Sequence, residues 1–311
     1  MTPNRNAEPV FLSIVLYAYN NADIIIKSLK TIYDFTRKNF MQFELIILDD
    51  ASTDSTITMI KEFAQTVENS KITLISLQYK HGTEKAISIG LDFSIGDFVI
   101  EMESPYINYD INMLYELFEK SAKGNDVVSL IPENKMELTS TLFYSVFKRF
   151  SDLPIDLNTE SACILTRRAI NKLSQIKDKT QYRKINYKLT GYSYSSISYQ
   201  PKYSVPNLHT FSERWQSALD ILFSFTNVGM KINMILSLIF LLVSLFVGGY
   251  AACIYLFYDE VMEGWTTIML VLSFGFSGIF LVFSVLSKYF ELILKEIRTL
   301  PDHTIKMIEK L

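Results

Sequence analysis

The chain has 311 residues, enough for two structural units with ample core and too many to need disulfide staples. Its 30 Lys and Arg nearly balance 33 Asp and Glu, and a net charge of -3 leaves no basic field to attract a nucleic acid. An apolar share of 49% beside 20% charged residues requires unevenly placed charge, and residues 232–287 indeed carry Asp259, Glu260 and Glu263 but no Lys or Arg.

From residue 10 to about 199, short β-rich apolar runs alternate with helical stretches, the pattern of an α/β fold with a mostly parallel sheet covered by helices. Strands are predicted at 11–17, 44–48, 72–77, 98–102 and 127–131, with helices at 22–38, 54–68, 83–94 and 112–122. In such doubly wound sheets ligands bind beyond the carboxyl ends of the strands. The segments placed there are Ala18-Tyr19-Asn20, Asp49-Asp50, Lys80-His81-Gly82 and Glu103-Ser104-Pro105. No GxGxxG follows the first strand and no GxxxxGK[ST] occurs, so neither a dinucleotide fold nor a P-loop is supported. Capping of the next helix accounts for Ser52 and Asp54. It does not account for Asp49 and Asp50, two carboxylates ending a buried strand, where unpaired charge is costly. A ligand offering donors, such as a nucleobase imide and ribose hydroxyls, would offset that cost.

Towards the C-terminus, 211–228 places Trp215, Leu219, Leu222, Phe223 and Phe225 among Glu213, Arg214 and Asp220, as an interfacial helix or a plain linker helix would. Two uncharged runs follow, 27 residues at 232–258 and 23 at 265–287. At 1.5 Å rise per residue they give roughly 40 and 35 Å of helix, enough for two transmembrane helices in a hairpin. The connecting turn is acidic, while Lys231, Lys288, Lys295 and Arg298 flank the outer ends, so the positive-inside rule puts both termini in the cytoplasm of a multi-pass cell-membrane protein. Residues 1–9 are polar and carry no signal-peptide pattern. The only cysteines, Cys163 and Cys253, make a disulfide or Cys-based metal site improbable. The expected organisation is a cytosolic domain at 1–210, an interfacial helix at 211–230, a membrane hairpin at 231–290 and a surface tail at 291–311. The spans also offer a face for self-association into a homo-oligomer.

Ser13-Ile-Val-Leu-Tyr-Ala-Tyr-Asn20, Glu44-Leu-Ile-Ile-Leu-Asp-Asp-Ala-Ser-Thr-Asp-Ser-Thr56, His81-Gly82 with Ala86 and Gly90, and Gly96-Asp97 together resemble the family-2 glycosyltransferases of GT-A (Rossmann-like) fold. The terminal hairpin adds a narrower similarity to polyprenyl-phosphate glycosyltransferases related to dolichol-phosphate mannose synthase. The resemblance implies transfer of a hexose, with inversion, from a UDP- or GDP-linked sugar to polyprenyl phosphate at the membrane. It implies that Tyr17, Ala18, Tyr19, Asp50, Gly82 and Lys85 line the nucleotide pocket, with Asp50 meeting the base.

The family's Asp-x-Asp metal motif falls on Glu103-Ser104-Pro105, and Pro105 cannot be a side-chain ligand. Glu101 and Glu103, two apart and on one face if the strand continues, are the remaining pair able to hold Mg2+ or Mn2+. In 158–168, which looks like the family's Asp-Phe-Arg-Leu-x-x-Arg segment, the catalytic acid falls on Ser161 and the first Arg on Cys163. This leaves Glu160 as the adjacent acid and, with Glu103, a catalytic candidate. For the acceptor phosphate the basic candidates are Arg167, Arg168, Arg183 and Lys202. The altered positions Pro105, Ser161 and Cys163 also admit a protein that binds or regulates without turnover. Arg214-Trp215, kept without the Gln of processive synthases, admits a glycan-hydroxyl acceptor.

Overall fold

The computed structural model describes residues 7–67, 72–133, 160–175, 183–189, 191–205, scattered positions between 231 and 250, 264–297 and 304–311. The interfacial helix expected at 211–230, the turn at 258–263 and most of the first uncharged run lie outside the described residues.

Among the described residues eight strands form one sheet: β1 (Glu8–Ala18), β2 (Phe40–Asp49), β3 (Ile72–Leu77), β4 (Phe98–Met102), β5 (Val127–Pro132), β6 (Ala162–Thr166), β7 (Tyr194–Tyr199) and β8 (Ile305–Lys310), in the spatial order β7-β5-β6-β4-β1-β2-β3-β8. The pairs β1–β2, β1–β4, β2–β3 and β5–β7 are parallel, whereas β6 runs antiparallel to both β4 and β5 and β8 antiparallel to β3. The sheet is therefore mixed, with a parallel centre.

Side-chain alternation along β1 divides the core. Leu12, Ile14, Leu16 and Ala18 join one apolar cluster with Ile25, Leu29 and Ile32 of α1 (Ile25–Asn39), Ile60 and Phe63 of α2 (Thr56–Thr66) and Leu114 and Leu117 of α4 (Met113–Ala122). Val15 and Tyr17 point to the other face and meet Ala86 and Ile87 of α3 (Thr83–Phe93), Ala169 and Ile170 of α5 (Arg167–Gln175) and Tyr187 of α6 (Arg183–Leu189). A fully buried Leu or Ile contributes about 1.5–3 kcal/mol, so register errors that turn β1 over are strongly disfavoured. Close approach fixes α3: a Cβ on Gly90 would lie 2.4 Å from Val15 Cγ1 and 2.7 Å from Leu48 Cδ2.

The last residues are not the surface tail expected from the sequence. Residues 305–310 close the sheet beside β3, with Ile75 opposite Ile308, Leu77 opposite Ile305 and Lys61 paired to Glu309 at 2.8 Å. The chain divides into two compact units, and residues 1–136, 157–207 and 301–311 make up the first. In the second unit, α7 (Trp265–Ile297) covers the second uncharged run, and Gly278 lies close against the ring of Phe240 in the first. The side chains of α7 are described only in part. Among the described residues no helix is long and apolar enough to cross a membrane.

Candidate active site

Strand order reverses beside β1, which has β2 on one flank and β4 on the other, so a crevice opens beyond the carboxyl ends of β1 and β4. The turns after β1 and β2 are laced together across it. Asn20 (φ 49°) and Ala51 (φ 60°) adopt left-handed backbone conformations. Ser52 Oγ accepts the Asn20 N–H at 2.9 Å, Asn20 Oδ1 accepts the Thr53 N–H at 2.8 Å, and Asp54 Oδ2 accepts the Ala22 N–H at 3.1 Å. Asp54 also takes the Thr56 N–H at 3.0 Å, while the N-cap position of α2 is Ser55, which makes no side-chain cap bond; Ser52 ties the two turns instead of capping.

Asp50 is completely enclosed, and its donors come from the protein. Its Oδ1 accepts the His81 N–H at 2.7 Å, and its Oδ2 accepts the Gly82 N–H at 2.8 Å and the Tyr17 hydroxyl at 3.0 Å. The carboxylate thus knots β1, β2 and the loop entering α3, where Gly82 (φ 86°) takes a conformation suited to glycine. Burial, then the Asp50 charge, pushes the Tyr17 hydroxyl far up, keeping it a neutral donor. Fully buried and holding three protein donors, Asp50 shapes the floor of the pocket where the sequence reading set it to meet the base. Asp49 is the acid left short of donors. One oxygen takes the Ser52 N–H at 3.3 Å, the other is buried without a partner, and burial raises its pKa above the usual carboxylate value.

Around this knot lie the more accessible groups. Lys80 Nζ sits 4.6 Å from the centre of the Tyr19 ring, and the Tyr79 and His81 rings stack with centroids 6.0 Å apart. Lys85, in the first turn of α3, is half-buried and makes no hydrogen bond or ion pair among the described residues.

On the β4 side, Glu101 and Glu103 do share a face, and they converge on Arg183. Arg183 Nε lies 3.1 Å from Glu101 Oε2, and Nη2 lies 3.2 Å from Glu101 Oε1 and 2.5 Å from Glu103 Oε1. The Tyr187 hydroxyl donates to Glu101 at 2.6 Å, and Lys184 Nζ lies 2.8 Å from Glu103. Glu84 of α3 completes the cluster: its Oε2 accepts the Arg183 backbone N–H at 3.0 Å and sits 2.9 Å from Nη1, an ion pair by distance although Nη1 makes no aligned hydrogen bond. Burial drives Glu101 and Glu84 up in pKa despite the Arg183 charge. Burial acts likewise on Glu103, but Lys184 and Arg183 outweigh it and hold that carboxyl below its ordinary value.

This cluster bears on two expectations. Glu101 and Glu103 do not fit a divalent cation as they stand, because their oxygens already hold a guanidinium and an ammonium, and among the described residues no group of three or more His, Cys, Asp or Glu is arranged to bind a metal. Arg183, assigned to the acceptor phosphate, is 6% exposed and bound to carboxylates.

Arg167 and Arg168 lie at the opposite edge of the sheet from the crevice, because β6 runs antiparallel to β4 and delivers them to its amino end. There Arg167 donates to Gly96 O at 2.9 and 2.6 Å, and Arg168 pairs with Asp126 at 2.6 Å. Lys202 is exposed and lines a cavity of about 230 Å³ with Lys27, Ser28, Tyr109 and Asp110, beside the segments that follow β1 and β4. Glu160 is buried, with one oxygen accepting the Tyr194 hydroxyl at 3.0 Å and the other without a partner. Glu84, Lys184 and Tyr187 were not foreseen from the sequence; they sit in unremarkable helical turns, and only the fold brings them to β4.

The family model described as glycosyl transferase family 2 matches residues 13–194. An uncharacterized glycosyltransferase of Synechocystis sp. is 23% identical over 299 residues, covering 93% of this chain and 93% of its own. Bactoprenol glucosyl transferase of Shigella phage SfII is 22% identical over 304 residues, 95% of this chain and 97% of that one. Among solved structures, glucosyl-3-phosphoglycerate synthase from Mycobacterium tuberculosis in complex with Mn2+, UDP-glucose and phosphoglyceric acid matches with TM-score 0.48 and 15% identity over 68% of this chain and 76% of that one.

Proposed function

The chain belongs to glycosyl transferase family 2, and from that membership we propose that it moves one hexose from a UDP- or GDP-linked sugar, with inversion, onto a membrane polyprenyl phosphate for surface glycan assembly. The observation that carries the acceptor is the similarity to a bactoprenol glucosyl transferase over 304 residues, long enough to take in both uncharged runs. Those runs, at 232–258 and 265–287, serve as two membrane spans that keep the enzyme beside its lipid. β8 shares a sheet with β1, so any bilayer crossings between them are even in number, in keeping with two spans. Basic flanks place both ends on the cytoplasmic side.

The chemistry asks little of a base. A lipid phosphate, with a second pKa of about 6, is already mostly ionised at neutral pH and can attack the anomeric carbon directly. Glu160 is correspondingly enclosed and turned to Tyr194. The protein's task is to orient the donor and to stabilise the departing diphosphate. In this reading the Asp50 knot fixes the floor, the faces of Tyr19 and of the Tyr79–His81 stack receive the base, and Lys85 meets the diphosphate.

A panel of radiolabelled UDP- and GDP-hexoses is incubated with the purified full-length protein and undecaprenyl phosphate in detergent, with and without Mn2+. Organic-extractable label from one donor is the expected result. No labelled lipid from any donor under either condition contradicts the proposal.

A further inference from the structure

The resemblance implies a divalent cation between carboxylates at the end of β4, and the structure puts something else there. One nitrogen, Arg183 Nη2, touches Glu101 at 3.2 Å and Glu103 at 2.5 Å, so the space between the two carboxylates is filled by a planar cation from α6. Both oxygens of Glu101 are engaged, Oε2 by Arg183 Nε at 3.1 Å and by the Tyr187 hydroxyl at 2.6 Å. Glu103 Oε1 is shared with Lys184 at 2.8 Å. Glu84 accepts the Arg183 backbone N–H at 3.0 Å, and the Arg183 side chain is 6% exposed.

We propose that Arg183 fills, from within the chain, the place of the divalent cation, so that Glu101 and Glu103 hold a guanidinium and nucleotide-sugar binding does not depend on a metal. The inference rests on the nucleotide-sugar reading above. Mg2+ and Mn2+ need several oxygens at about 2.0–2.2 Å in a near-octahedral shell. Entry of such an ion requires Arg183 to leave, stranding a buried positive charge next to the incoming one and breaking a bidentate pair of the geometry that guanidinium and carboxylate fit best. Pro105, at the third position of the motif, adds no ligand to offset that loss. Arg183 is a positioning residue here: it sets Glu101 and Glu103 and anchors α6 against β4.

The test reads Mn2+ binding directly. Full-length protein in detergent is titrated with Mn2+ alone, and free ion is followed by electron paramagnetic resonance for wild type, R183Q, R183K and E103Q. Wild type and R183K are expected to bind no tighter than E103Q, while R183Q gains one Mn2+ site at least tenfold tighter. A wild-type site lost in E103Q overturns the inference, as does a folded R183Q that gains nothing; if R183Q does not fold, the comparison of wild type with E103Q decides alone. UDP and GDP titrations in EDTA and in Mn2+ then separate the two proposals. Affinities within twofold of each other are expected, and a tenfold gain with Mn2+ overturns the metal inference. Absence of nucleotide binding in both buffers instead overturns the donor reading, while the Mn2+ titration continues to test the role of Arg183 independently.

Discussion

Asp50 accepts from three protein donors with two oxygens, and an isosteric substitution tests whether that knot builds the pocket. In D50N either amide orientation turns an NH2 towards a backbone N–H. The expected outcome is a loss of about 1–3 kcal/mol in stability, read by thermal unfolding, together with weaker nucleotide binding; unchanged binding contradicts the role given to the loop entering α3. At the far edge, burial raises the pKa of Asp126, but bonds from Arg168, Thr166 and Ser193 outweigh it and hold the carboxyl below its ordinary value. A depressed folded pKa contributes stability above the unfolded value of about 3.9, and that contribution disappears as pH falls through the folded one. D126N is therefore expected to be about 1–2 kcal/mol less stable than wild type at pH 7, with the gap narrowing below pH about 4; a gap constant with pH contradicts the assignment. At this scale the paired acids Asp49 and Asp50 were legible, because two carboxylates ending an apolar strand are conspicuous. The partners of Arg183 were not, since they stand 80 and 82 residues away and no local period encodes such a contact.

The parallel centre of the sheet follows from local pattern. Two of the predicted strands, 72–77 and 98–102, coincide with β3 and β4, and the others differ from the observed strands by a few residues at their ends, where apolar alternation fades before pairing does. The closing strand is different. Ile305-Lys-Met-Ile-Glu-Lys310 looks like an amphipathic tail by itself, and becomes a strand only because β3 offers an unpaired edge. Truncation after residue 300 re-exposes that edge and removes the Lys61–Glu309 pair, itself worth at most about 1 kcal/mol given its exposure. The truncated protein is expected to melt several degrees lower and to self-associate at micromolar concentration, read by light scattering. Equal melting and a monodisperse sample contradict a structural role for β8. The antiparallel β6 was equally hidden, and with it the reason that Arg167 and Arg168 face away from the crevice.

For the whole molecule, the uneven placement of charge separated an α/β domain from two uncharged runs, but the sequence alone did not reveal that the chain returns to the sheet it began. That return fixes the parity of any membrane crossings. Single cysteines introduced near residue 3 and at residue 311 are expected to react with an impermeant maleimide from the same side of sealed vesicles; labelling from opposite sides contradicts the account. At the core of the proposal is a family 2 transferase whose Glu160 is buried and whose acceptor is already ionised. The direct measurement is a competition, with the active sugar nucleotide, between undecaprenyl phosphate and undecaprenol of equal chain length. Label is expected on the phosphate with at least a hundredfold less on the alcohol, and comparable labelling of the alcohol overturns the proposal.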